Sequence, residues 1–114
     1  MKLVENTILI DELKSMSENM FGTLVKAVVD IEKGIMVVDA ELHSDEEELL
    51  LESESQQENL WGINLYPENV DNENWIEFDS MINIRPASGN RSRGIDDPKI
   101  RERITTIVNR LVAK

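Results

Sequence analysis

TLVKAVVDIEKGIMVVDAEL, residues 23–42, is the stretch on which the fold turns. Val25, Ala27, Val29 and Ile31 alternate with mostly polar neighbours, and beyond Glu32-Lys33-Gly34 the alternation resumes at Met36, Val38, Ala40 and Leu42. Successive side chains of a strand point to opposite faces, so this pattern predicts two half-buried strands, and the glycine between them predicts a hairpin.

On either side of the hairpin the period changes. Upstream, Ile10, Leu13, Met16 and Met20 recur at helical spacing until Gly22, which predicts a helix over about 10–20, preceded by a short edge strand at residues 2–5. Downstream, Ser44 and Glu47 have capping-box spacing, with Asp45 and Glu46 on the first turn where the helix dipole favours negative charge. A short helix over about 45–53 follows from this; its Leu49, Leu50 and Leu51 are consecutive and cannot all face one core. NLWGINLY (59–66) and NWIEFDSMINIR (74–85) read as two more strands. In the second, Ile76, Phe78, Ile82 and Ile84 would share one face, and Glu77, Asp79, Met81, Asn83 and Arg85 the other. Asp97 as N-cap, Pro98 as first helical residue, and the stripe Ile100, Ile104, Ile107, Val108 and Leu111 predict a last helix ending near 112. The expected architecture is α+β: a mainly antiparallel sheet of four or five strands with two or three helices packed on one face, leaving the other open.

A chain of 114 residues, 40% hydrophobic and 31% charged, is expected to form a single domain, 1–114, with one core. Without cysteine it has no disulfide framework and no thiolate metal site, which suits a reducing, cytoplasmic setting. The opening MKLVENTILIDELK has a three-residue apolar run before Asp11, too short for a signal peptide or a membrane span. A net charge of -11 argues against nucleic acid and anionic membranes as partners. The charge is unevenly spread. Residues 1–84 carry 20 acidic and 4 basic side chains; residues 85–114 carry 3 acidic and 8 basic, among them all six arginines, Arg85, Arg91, Arg93, Arg101, Arg103 and Arg110. Lys99, Arg103 and Arg110 fall along one flank of the last helix, where long basic side chains can cover apolar surface and bridge to the acidic sheet.

The loop RPASGNRSRGIDDP, residues 85–98, has the parts of an anion site. Gly89 and Gly94 allow amides to converge, Arg91 and Arg93 supply planar forks, Asn90 and Arg85 stand beside them, and a helix N-terminus follows. Internal Arg-to-carboxylate pairing would use the same residues. The spacing imitates a P-loop, but Ile95-Asp96 stands where Lys-Ser or Lys-Thr is required, so that reading fails. His43, the only histidine, could serve as a general base or simply anchor the entry to a helix. Glu77 and Asp79 would point to one face of a strand, where paired carboxylates can hold a hard cation or exchange protons. Counting from Asp71, Ile76 occupies the position of the EF-hand glycine, so the acidic loop ENVDNEN (68–74) is not an EF-hand. Trp61, Tyr66 and Trp75 suit core packing, and would equally suit a partner surface. No metal site and no cofactor are expected from these patterns.

FGTLVKAVVDIEKGIMVVDAELH, LWGINLYP and WIEFDSMINIRPASGNRSRGIDDPKIRERI together resemble a family of small uncharacterised prokaryotic proteins classed as a domain of unknown function. The resemblance runs from about Leu13 to Leu111. It implies a soluble single-domain bacterial or archaeal protein and assigns no activity and no site residue. Three functional expectations follow from the residues themselves. The first is a non-enzymatic module that takes an anionic small molecule or an acidic protein segment through Arg85, Asn90, Arg91 and Arg93. The second is a hydrolase of phosphorylated or nucleotide-like substrates, with Glu77 and Asp79 holding Mg²⁺, His43 as base and the arginines orienting phosphate in one cleft. The third is a structural interaction protein whose aromatic strands form an interface, which predicts an exposed apolar patch and a stable oligomer such as a homodimer.

Overall fold

The computed structural model describes residues 1–114. The hairpin forms, but its second strand ends at Val38, short of the expected Ala40 and Leu42. Strands β3 (Val25–Asp30) and β4 (Ile35–Val38) pair antiparallel with Val28 opposite Val37 and Val29 opposite Met36, β1 being Lys2–Val4 and β2 Ile8–Leu9. The turn closes where Gly34 donates to the Asp30 carbonyl at 2.9 Å with φ of 69°, a left-handed value that favours glycine. The Asp30 carboxylate reinforces it, Oδ1 accepting the amides of Glu32 (2.9 Å) and Lys33 (3.0 Å) and Oδ2 the hydroxyl of Ser55 (2.6 Å).

Strand β5 (Leu60–Leu65), buried along its whole length, joins the other side of β3, and a two-residue β6 (Ile76–Glu77) joins β5. The five-stranded sheet runs β1-β4-β3-β5-β6 with every pairing antiparallel. Helices α1 (Ile10–Asn19) and α3 (Pro98–Leu111) pack on one face. Ile10, Leu13, Ile104, Ile107, Val108 and Leu111 meet Val25, Ala27, Val29, Met36, Val38, Ile63 and Leu65 in the main core. Asp97 caps α3 by accepting from the Lys99 amide at 2.9 Å. After α3 the chain forms β7 (Val112–Ala113), which pairs in parallel with β2, a contact too short to leave a periodic trace in the sequence.

The face expected to be open is covered. Helix α2 (His43–Glu52) lies across it, its Leu50 packing with Val28, Val37 and Leu60 in a second, smaller core. Of the three consecutive leucines Leu50 is fully buried and Leu51 exposed. The helix also begins two residues earlier than the capping box predicts. Leu42 is the N-cap residue and no side chain caps the helix, so Ser44 and Glu47 do not form the box.

The expected strand over 74–85 is the largest departure. Pairing stops after Glu77, and Met81–Asn83 form a single 3₁₀ turn. The cause lies in β5, where Gly62 leaves a hollow: a Cβ there would stand 2.5 Å from the Cβ of Ser80. The chain folds into that hollow, and Asn83 replaces the missing strand. Its carboxamide accepts from the Gly62 amide (2.8 Å) and donates to the Gly62 carbonyl (2.9 Å), as a neighbouring backbone would. Asn83 is therefore in the core, Ile82 packs against the smaller cluster, and Ile84 is exposed.

Candidate functional site

The loop that follows Asn83 is held together from within. Arg85 exchanges backbone hydrogen bonds with Asn90 (2.7 and 3.2 Å), and its guanidinium donates to the carbonyls of Ile82 and Leu60 while lying 4.5 Å over the Trp61 ring. Burial lowers the pKa of Arg85, and the charge of Glu47 opposes that shift. Asn90 is buried with its amide committed. Nδ2 donates to the carbonyls of Asn83 (2.8 Å) and Gly94 (2.8 Å), and Oδ1 accepts the Asp96 amide at 2.8 Å. The loop does cradle an anion, but it is the protein's own. The Asp96 carboxylate accepts from the Ser92 hydroxyl at 2.8 Å and from the Arg91 amide at 3.3 Å. Arg91 itself is exposed and its side chain has no protein partner, whereas Arg93 pairs with Asp79, Nε to Oδ1 at 2.7 Å. Arg85, Asn90, Arg91 and Arg93 thus do not converge on one point; Arg93 faces a different part of the molecule.

That part is the start of α2. There the smaller face of the sheet turns polar: Lys26 on β3, Asn64 on β5 and Glu77 on β6 are paired neighbours in one row across the strands. His43 closes over the row with Nε2 2.8 Å from the Ile63 carbonyl oxygen, an anchor that replaces the expected serine cap. Asn64 Nδ2 donates to Glu77 Oε1 at 2.8 Å, and the Tyr66 hydroxyl donates to the same oxygen at 3.0 Å. Burial, then Glu77 itself, raises the Tyr66 pKa. Above the row lies a cavity of about 200 Å³ lined by Lys26, His43, Ser44, Asn64, Asp79, Ser80 and Arg93, with Leu42, Met81 and Ile82 forming its apolar rim.

The electrostatics of the cavity follow from its lining. His43 is held neutral, its pKa lowered first by burial, with Lys26 adding to that effect and the Ile63 carbonyl and Asp79 opposing it. Lys26 and Arg93 bring two positive charges and Asp79 one negative charge. The first turn of α2, which no side chain caps and which carries Asp45 and Glu46, brings the positive end of the helix dipole to the same wall. Larger hollows exist elsewhere with less suitable chemistry. One of about 510 Å³ beside Trp61 and Arg85 also carries Glu58, Asp96 and Asp97, and one of about 430 Å³ beside Trp75 has its Lys114 paired with Asp71 at 3.1 Å.

The cavity brings together three residues of the hydrolase expectation, His43, Asp79 and Arg93. Glu77 stands behind Asn64, and no three His, Asp or Glu side chains group closely enough to share a metal ion. Lys26 and Asn64 were missed. Both occupy ordinary polar positions in otherwise apolar strands, and only the register places them side by side. Trp61 and Trp75 are core residues, as the packing alternative had it.

No helix is long and apolar enough to cross a membrane. A family model described as a protein of unknown function, DUF5674, matches residues 2–111. No curated protein and no solved structure matches the chain. The chain belongs to the DUF5674 family.

Proposed function

We propose that this DUF5674 member is a binding module for a small anion, taken up in the cavity where α2 begins. The observation that carries the reading is the meeting of Lys26, Arg93 and an uncapped helix start around one space, in a protein whose net charge is -11. Arg93 is set for the task. Asp79 holds its Nε, and neither of its two terminal nitrogens has a hydrogen-bond partner in the protein. With a water's share of liquid near 30 Å³, the space admits about six or seven waters, or a ligand of the size of phosphate or a short carboxylic acid.

A Mg²⁺-dependent hydrolase would use the same cavity, since His43, Asp79 and Arg93 all line it. That chemistry needs Glu77 and Asp79 to share an ion, and Glu77 is engaged with Asn64 and Tyr66 instead. Binding without turnover is therefore the better-supported reading.

The test is thermal unfolding with sulfate, phosphate and malonate, for the wild type and for Lys26→Met and Arg93→Gln. A ligand at about 100 times its Kd stabilises by about 2.7 kcal/mol, a rise of several degrees for a domain of this size. Each variant is expected to weaken the effect at least tenfold. An absence of any shift in the wild type, or equal shifts in the variants, would contradict the reading.

A further inference from the structure

We propose that anion binding in this cavity is coupled to the uptake of a proton by His43. The inference rests on the reading above and concerns how the same site is regulated.

Burial keeps His43 neutral, and one of the groups that would attract an anion, Lys26, adds to that effect. Lys26 from β3 and Arg93 from the loop line the cavity with the imidazole, and a proton added to the ring in the empty state meets the repulsion of Lys26 as well as the larger cost of burial. An anion between them reverses the first effect and offers the new N–H a charged acceptor. Asn64, 7% exposed, has its amide nitrogen committed to Glu77 and its Oδ1 buried without a hydrogen-bond partner, and its side chain, which lines the cavity with His43, also favours the imidazolium. A neutral imidazole carries one N–H, which the Ile63 carbonyl accepts; an imidazolium carries two.

The remaining charges around the ring do not supply the coupling. Asp79 favours the imidazolium, but its charge is offset by Arg93 at 2.7 Å. Glu77 lies beyond Asn64. On α2 itself Asp45 is exposed, and Glu46, with its pKa pushed up to about 9 by burial, keeps its proton throughout the range in which histidine titrates. Glu47 lies one turn on, beside a different hollow that it shares with Arg85.

Because His43 is the chain's only histidine, its imidazole signals in proton NMR are unambiguous. The experiment follows these signals from pH 5 to 8 with and without sulfate, whose charge is constant over that range. Calorimetric sulfate titrations at pH 5.5 and 8 accompany them, in two buffers of different ionisation heat. The expected result is that sulfate raises the pH at which His43 titrates, that binding takes up protons, and that affinity is about tenfold higher at low pH for each unit of that rise. His43→Gln, which retains an N–H for Ile63 O, should bind sulfate with no pH dependence and no proton uptake. Equal affinity at both pH values with an unmoved His43 titration would overturn the coupling and leave the binding reading standing. Proton uptake that persists in His43→Gln would overturn it as well. If sulfate binds the wild type at neither pH, the binding reading fails and the coupling with it.

Discussion

Glu46 is the side chain furthest from its ordinary state. It is fully buried at the start of α2, its Oε2 accepts the Ala40 amide at 3.0 Å, Oε1 has no partner, and burial lifts its pKa from 4.5 to about 9. The folded protein therefore holds this proton more firmly than the unfolded chain. Its contribution to stability is complete below about pH 4.5, declines as pH rises toward 9 and is level beyond. At pH 7 the loss amounts to about 3 kcal/mol, from 1.36 kcal/mol per pH unit. Glu46→Gln should abolish that decline and be more stable than the wild type at pH 8, measured by denaturant unfolding at several pH values; parallel curves for the two proteins would refute the assignment. Gly62 is equally specific. Alanine there would press its Cβ against Ser80, so Gly62→Ala should cost about 1–3 kcal/mol in the same assay, and an unchanged midpoint would mean that the 78–83 segment does not sit in the hollow.

At the scale of elements, the hairpin was legible because a strand's two faces impose a period of two on residues 25–38, although β4 ends before the Ala40 and Leu42 that carry the alternation on. The last helix was legible from its cap, its proline and its stripe. The strand over 74–85 was not, since the alternation of Ile76, Phe78, Ile82 and Ile84 is genuine but is overridden by one glycine and one carboxamide on other elements. Neither has a periodic signature. The start of α2 was misread for a related reason: a ring reaching to Ile63 anchors it in place of a serine cap. The hairpin turn offers a test of this scale. Asp30 is 1% exposed and serves two turn amides and Ser55, so Asp30→Ala leaves three donors without their acceptor and should cost about 2–4 kcal/mol. A loss under 0.5 kcal/mol in urea unfolding would show that the turn is held by Gly34 and the strands alone. Arg110, which donates to the Gly34 carbonyl at 2.7 Å, ties the same turn to α3.

For the whole molecule, the crowding of arginine into the last thirty residues has a mixed explanation. Arg85, Arg101 and Arg110 donate to backbone carbonyls, and only Arg93 pairs with a carboxylate, so the basic segment is not bound to the acidic body by a lattice of ion pairs. The side chains of Arg91 and Arg103 are exposed and without protein partners. Of the residues expected to form an anion loop, only Arg93 lines the cavity; Arg85, Asn90 and Arg91 do not. Lys26, His43 and Asn64 lie more than twenty residues upstream and meet Arg93 only through the register of β3 with β5 and the placement of α2. We propose that anion binding belongs to that meeting point and not to positive charge in general. The measurement that tests it is calorimetric titration of sulfate into three proteins: the wild type, the pair Lys26→Met with Arg93→Gln, and the pair Arg91→Ala with Arg103→Ala, which removes the same charge elsewhere. The second protein is expected to lose sulfate binding and the third to retain wild-type affinity. Equal binding by all three, or loss in the third alone, would contradict it.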